Sequence, residues 1–209
     1  MKNKLAPLFV FAAWMLASTQ VQAESLVDGD AEAGKSKALT CTACHGAAGN
    51  SANPLWPNIA GQHAKYVETQ LVAFKSGGRV DPLMSSQAML LADDDMADLA
   101  TYFESLTGAA QSVANPDLLA RGEALYRGGN AEKDIPACIG CHGPTGRGNA
   151  AAVYPSLQGQ HAAYTAKQLQ DYAAGVRKTG GKTQMMQSIS ARLSPEDIEA
   201  LASYVQGLH

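Results

Sequence analysis

The sequence predicts an all-α protein built as two tandem helical domains. Three observations predict it: an internal duplication, apolar side chains recurring at helical spacing, and helix-start signals at matching places in both halves. Gly61-Gln62-His63-Ala64-Lys65-Tyr66 recurs 98 positions later as Gly159-Gln160-His161-Ala162-Ala163-Tyr164. The same offset relates Pro57 to Pro155, Gln70-Leu71 to Gln168-Leu169, Phe74 to Tyr172, Gly77 to Gly175 and Arg79 to Arg177. An offset of 102 relates residues 95–102 to residues 197–204.

Taken in order, the chain opens with Lys2 and Lys4, an apolar run of 13 residues (5–17), and Val21-Gln22-Ala23 before Glu24. That is the layout of a signal peptide cleaved after Ala23. Thirteen apolar residues fall short of the roughly 20 that a membrane-spanning helix needs. The first helix of the mature chain is expected at residues 30–39 and its counterpart at 115–126, where Asn115-Pro116-Asp117 reads as an N-cap with proline at the first helical position. Helices at 64–75 and 162–174 carry Tyr66, Leu71 and Phe74, and Tyr164, Leu169 and Tyr172, on faces expected to be core. The last helices, 93–106 and 194–208, start with early acids, and Ser194-Pro195 adds a cap and a proline. Residues 108–114 are small and weakly polar, so the boundary falls there: signal peptide 1–23, first domain 24–112, second domain 113–209.

All four cysteines lie in two copies of one pattern, Cys41-Thr42-Ala43-Cys44-His45 and Cys138-Ile139-Gly140-Cys141-His142. C-x-x-C-H is the attachment pattern of c-type haem: two thiols one helical turn apart add to the vinyl groups, and the adjacent imidazole reaches the iron. A disulfide framework also suits an exported chain, but a dithiol motif calls for no His after the second Cys. Zinc accepts these residue types, yet each pentad lacks a fourth ligand at zinc spacing. Two covalently attached haems are therefore the leading reading, and attachment outside the cytoplasmic membrane agrees with the export signal. A porphyrin would also enlarge the limited core of a domain of about 90 residues.

With these motifs, the G-Q-x-x-x-Y-x-x-x-Q-L segments and the Gly207-Leu208-His209 end, the chain resembles the dihaem cytochrome c4 family over essentially its whole mature length. The resemblance implies two tandem class I cytochrome c domains, each wrapped around one covalently attached haem c. It implies an electron carrier, not an enzyme. The carrier would be periplasmic, taking electrons from a quinol:cytochrome c reductase or another cytochrome and delivering them to a terminal oxidase. No small-molecule substrate is expected, and peripheral attachment to a membrane is left open.

The axial ligand opposite each His is expected on a flexible loop. Counting back from Leu91 and Leu193, Met84 and Met186 occupy the same place in the repeat, whereas Met185 aligns with Leu83, and Met89 with Ala191. Met96, paired with Ile198, is expected in the core. The metal ligands are thus His45 and Met84, His142 and Met186. A thioether is a soft ligand that favours reduced iron, and filling both axial positions leaves no room for substrate, which sets aside a dihaem peroxidase. By position in the family's pattern, Pro57 and Pro155 would accept the ring N–H of the axial histidines. Arg79 and Arg177 would contact haem propionates. Gly34 and Gly122 would let Tyr102 and Tyr204 cross closely. His63 and His161 are expected at the surface rather than on iron.

Charge is uneven. Residues 24–112 hold 5 Lys and Arg against 11 Asp and Glu, and residues 113–209 hold 9 against 8. The difference could orient encounters with redox partners, with Lys133 and Arg147 as the basic groups near the second motif. No basic patch points to nucleic acid.

Overall fold

The computed structural model describes residues 26–178 and 182–209; the expected signal peptide and its cleavage site lie outside the described residues. The first half comprises α1 (Ala31–Lys37), α2 (Leu39–His45), α3 (Ala64–Ser76), α4 (Pro82–Ala88) and α5 (Asp93–Ser105). The second comprises α6 (Leu119–Gly128, preceded by a 3-10 turn at Pro116–Leu118), α7 (Ile139–His142), α8 (Ala162–Ala173), α9 (Lys182–Ser190) and α10 (Pro195–Gln206). None of these helices is long and apolar enough to cross a membrane.

The starts are fixed by side chains. Asp30 accepts from the backbone N–H of Glu32 and Ala33 at the head of α1, Asn115 from that of Asp117, and Ser194 from that of Asp197. The segment expected to be one helix at 30–39 is two. The chain turns at buried Ala38, which packs on Leu99 and Phe103, and α2 runs on through the first Cys-x-x-Cys-His motif.

In each half the first and last helices cross where a glycine removes the side chain. A Cβ on Gly34 would stand 2.8 Å from the Cβ of Tyr102, and one on Gly122 would stand 2.6 Å from that of Tyr204, so the expected glycine–tyrosine crossings are both present. Around the second crossing Leu125, Tyr126, Leu201, Tyr204, Val205 and Leu208 form the core, with Cys138 and Ile139 at its edge. Around the first, Ala38, Leu99 and Phe103 do so, with Cys41 and Ile59 at the edge. Met96 is fully buried, as its pairing with Ile198 required.

The two halves meet through the duplicated segment, each copy binding the other half. Gln62 and Ser156 exchange two hydrogen bonds, both 2.9 Å. Gln160 and Asn58, their counterparts in the repeat, exchange another pair at 2.7 and 2.9 Å. Tyr66 and Tyr164, expected in the core of their own halves, instead offer their hydroxyls to Arg177 and Arg79 of the opposite half. A phenol has an apolar ring and a polar tip, and the tip goes where it finds a donor.

Candidate haem-binding sites

Helix α2 places Cys41 and Cys44 one turn apart and ends on His45, and the single turn α7 repeats this with Cys138, Cys141 and His142. All four thiols are free. Burial pushes the Cys41 thiol up and that of Cys138 to about 11. A reactive Cys-x-x-Cys thiol needs the opposite shift, toward thiolate, so Cys41 and Cys138 are not poised for attack. Among the described residues no group of three or more His, Cys, Asp or Glu converges on a point that could hold an ion. The sulfurs and imidazole of each motif are therefore not aimed at one common atom, which disfavours zinc and suits thiols that bond to carbon beside an imidazole that bonds to metal.

Both imidazoles are buried, 6% and 7% exposed, and burial lowers their basicity. Nδ1 of His45 donates to the carbonyl of Pro57 at 2.9 Å, and Nδ1 of His142 to that of Pro155 at 3.0 Å. Protonation at Nδ1 leaves the lone pair on Nε2, which fixes the tautomer a metal ligand needs.

Met84 and Met186 are half-buried, whereas their rivals Met89 and Met185 are 62% and 43% exposed. Neither lies on the flexible loop expected for it. Met84 is in the first turn of α4, where Asp81 accepts from the N–H of Leu83 and Met84 and Pro82 takes the first position; Met186 is in the middle of α9. The Asp-Pro cap at 81–82 is the same signal as Asn115-Pro116 and could have been read from the sequence.

Arg79 and Arg177 are buried in the contact between the halves, 9% and 5% exposed. Arg79 donates to Gln70, Gln168 and Tyr164 at 2.8, 2.8 and 2.9 Å, and Arg177 to Gln168, Gln70 and Tyr66 at 2.8, 2.7 and 2.7 Å. Their guanidiniums cover Phe74 and Tyr172. All these partners are neutral, and among the described residues neither arginine has a carboxylate in ion-pair range. Nε of Arg177 is buried with no hydrogen-bond partner. Two buried cations with only neutral company are costly and call for anions.

The histidines expected at the surface are in this contact too. Nε2 of His161 lies 2.9 Å from the carbonyl of Ser51, and Nε2 of His63 lies 2.7 Å from that of Arg147. Both nitrogens are thereby occupied by backbone carbonyls of the opposite half. Lys133, expected as a basic group near the second motif, is tied to Asp197 at 3.1 Å.

The profile of the Cytochrome c family matches residues 31–107 and again 119–209. The chain is 50% identical over 181 residues to cytochrome c4 of Pseudomonas aeruginosa, covering 87% of this chain and 90% of that one. It is 35% identical over 173 residues to a thiosulfate dehydrogenase electron acceptor of Thiomonas intermedia, covering 81% and 78%. Among solved structures, reduced recombinant cytochrome c4 from Pseudomonas stutzeri superposes with a TM-score of 0.84 at 46% identity, covering 87% of this chain and 100% of that one.

Proposed function

The chain belongs to the cytochrome c4 family of dihaem electron carriers, and from that premise we propose that it works in the periplasm, exported by residues 1–23. It takes electrons one at a time from a quinol-oxidising complex or another cytochrome and passes them to a terminal oxidase. Two haem c groups are covalently bound, one in residues 24–112 and one in residues 113–209. Each haem, when bound, supplies an iron that alternates between ferric and ferrous.

The residues fit that cofactor. Cys41 and Cys44 hold the first haem and Cys138 and Cys141 the second. His45 and His142 present Nε2 to the irons, held by the carbonyls of Pro57 and Pro155. Met84 and Met186 would supply a thioether to each iron, and that soft ligand would hold each site on the oxidising side. Arg79 and Arg177 contact the propionates, whose negative charge answers the two buried guanidiniums and the unpartnered Nε of Arg177. With a His and a Met of the chain on each iron, no position would be left for a substrate, and the protein would be a carrier rather than an enzyme. The kinship with a thiosulfate dehydrogenase electron acceptor of Thiomonas favours a protein as redox partner.

One observation carries this reading: a buried imidazole with its Nδ1 proton fixed on a proline carbonyl, directly after two free thiols one turn apart, occurs twice. The test is a haem stain of the denatured chain, then an optical titration of the native protein. Covalent haem at two per chain and no carbon monoxide binding by the reduced form are expected. Carbon monoxide binding at either iron would favour a catalytic haem instead.

A further inference from the structure

Resting on that reading, we infer that Lys182, stacked on Tyr154, raises the reduction potential of the haem in the second domain above the value its His142 and Met186 ligands alone would set. Tyr154 immediately precedes Pro155, the acceptor for His142, and its ring centroid is 6.4 Å from that of His142. The ammonium of Lys182 stands 5.0 Å from the centroid of the Tyr154 ring. Lys182 is also the first residue of α9, four before Met186, so the two project from the same side of that helix. One cation thus spans from the helix that carries Met186 to the segment that holds His142.

The first half is built differently. Trp56 occupies the position of Tyr154, and Val80, 70% exposed, stands four residues before Met84. Among the described residues the cation–ring pairs are Arg79 on Phe74, Arg177 on Tyr172 and Lys182 on Tyr154, so no cation covers Trp56. Two sites with the same proposed ligands therefore sit in unlike fields. Uptake of one electron lowers the positive charge of a site by one with no bond made or broken in the chain, and a fixed cation nearby favours the reduced form. Lys182 is exposed, so its charge can be removed with little effect on the fold.

The experiment is a potentiometric titration of the holoprotein and of its Lys182→Gln and Lys182→Arg variants. Met84→His in each background marks the first-domain haem by a large drop in its midpoint. Lys182→Gln should lower only the other midpoint, by about threefold in its redox equilibrium, roughly 30 mV at 59 mV per tenfold for one electron. Lys182→Arg should return it, and the Met-to-iron absorption should be unaltered in both. Unmoved midpoints, equal lowering at both haems, or the same lowering in Lys182→Arg would overturn the inference and leave the two covalent haems standing. Absence of covalent haem from the denatured chain would overturn the reading beneath it.

Discussion

Replacing Arg177 with Met keeps most of the side-chain volume and removes the charge, and the sign of its effect separates two accounts of the domain contact. The guanidinium makes three hydrogen bonds of 2.7–2.8 Å and covers Tyr172 at 4.6 Å, and it is 5% exposed. Gln70 and Gln168 would keep Arg79 as a partner, whereas Tyr66 would lose its hydrogen bond to Arg177. If the arginine served only the protein, taking out a buried cation that faces neutral groups would be close to neutral or stabilising, because its desolvation cost disappears with it. If it answers haem propionates, its loss leaves an acid group buried without its cation, and breaking such a pair costs about 3–5 kcal/mol. The uncompensated negative charge would also favour ferric iron and lower a midpoint. The assay is chemical unfolding of the holoprotein followed at its haem absorption, with a potentiometric titration of the same samples. Destabilisation near 3 kcal/mol or more with a lowered midpoint is the expected result. A variant as stable as the parent, with both midpoints unmoved, would refute the propionate role.

Three further outcomes follow from the same geometry. Gly122→Val should separate α6 from α10, since even its Cβ would stand 2.6 Å from that of Tyr204, and thermal unfolding should record a loss of about 2–4 kcal/mol. For Asp197, burial alone would push the carboxyl up, but Arg121, the Ser194 N–H and Lys133 outweigh it and hold it well below the usual range. A depressed folded-state pKa means this stability is present above the unfolded value near 3.9 and is lost as pH falls through the folded one. Asp197→Asn should therefore cost about 2 kcal/mol at pH 7 by denaturant unfolding, with the gap closing below about pH 4. Arg147→Glu, on an exposed side chain, should slow exchange with an acidic redox partner at low salt and leave the rate at high salt unchanged; equal rates at both ionic strengths would remove charge steering.

The sequence read well wherever a residue's role was local. Gly34 and Gly122 could be paired with Tyr102 and Tyr204 because a helix crossing needs a missing side chain on one partner. Pro57 and Pro155 stood 12 and 13 residues after their histidines, at matching places in the repeat. The roles that were misread depend on the opposite half. Tyr66, Tyr164, His63 and His161 looked like core or surface because a repeat records which positions match and not that the matching positions bind across to each other. The helices bearing Met84 and Met186 were misread for another reason: both are short, with too little apolar periodicity to be seen, and only the Asp81-Pro82 cap of the first was there to be read. Uneven charge was legible as a sum, but the sum concealed that Lys133 is tied to Asp197.

The central claim is that a sulfur from α4 and another from α9 close off the two irons. The direct measurement is the near-infrared Met-to-iron band of the oxidised holoprotein and of Met84→Ala and Met186→Ala. Each substitution should remove about half of that band and lower one midpoint, and a different midpoint in each. Bands and midpoints that survive both substitutions would contradict the account.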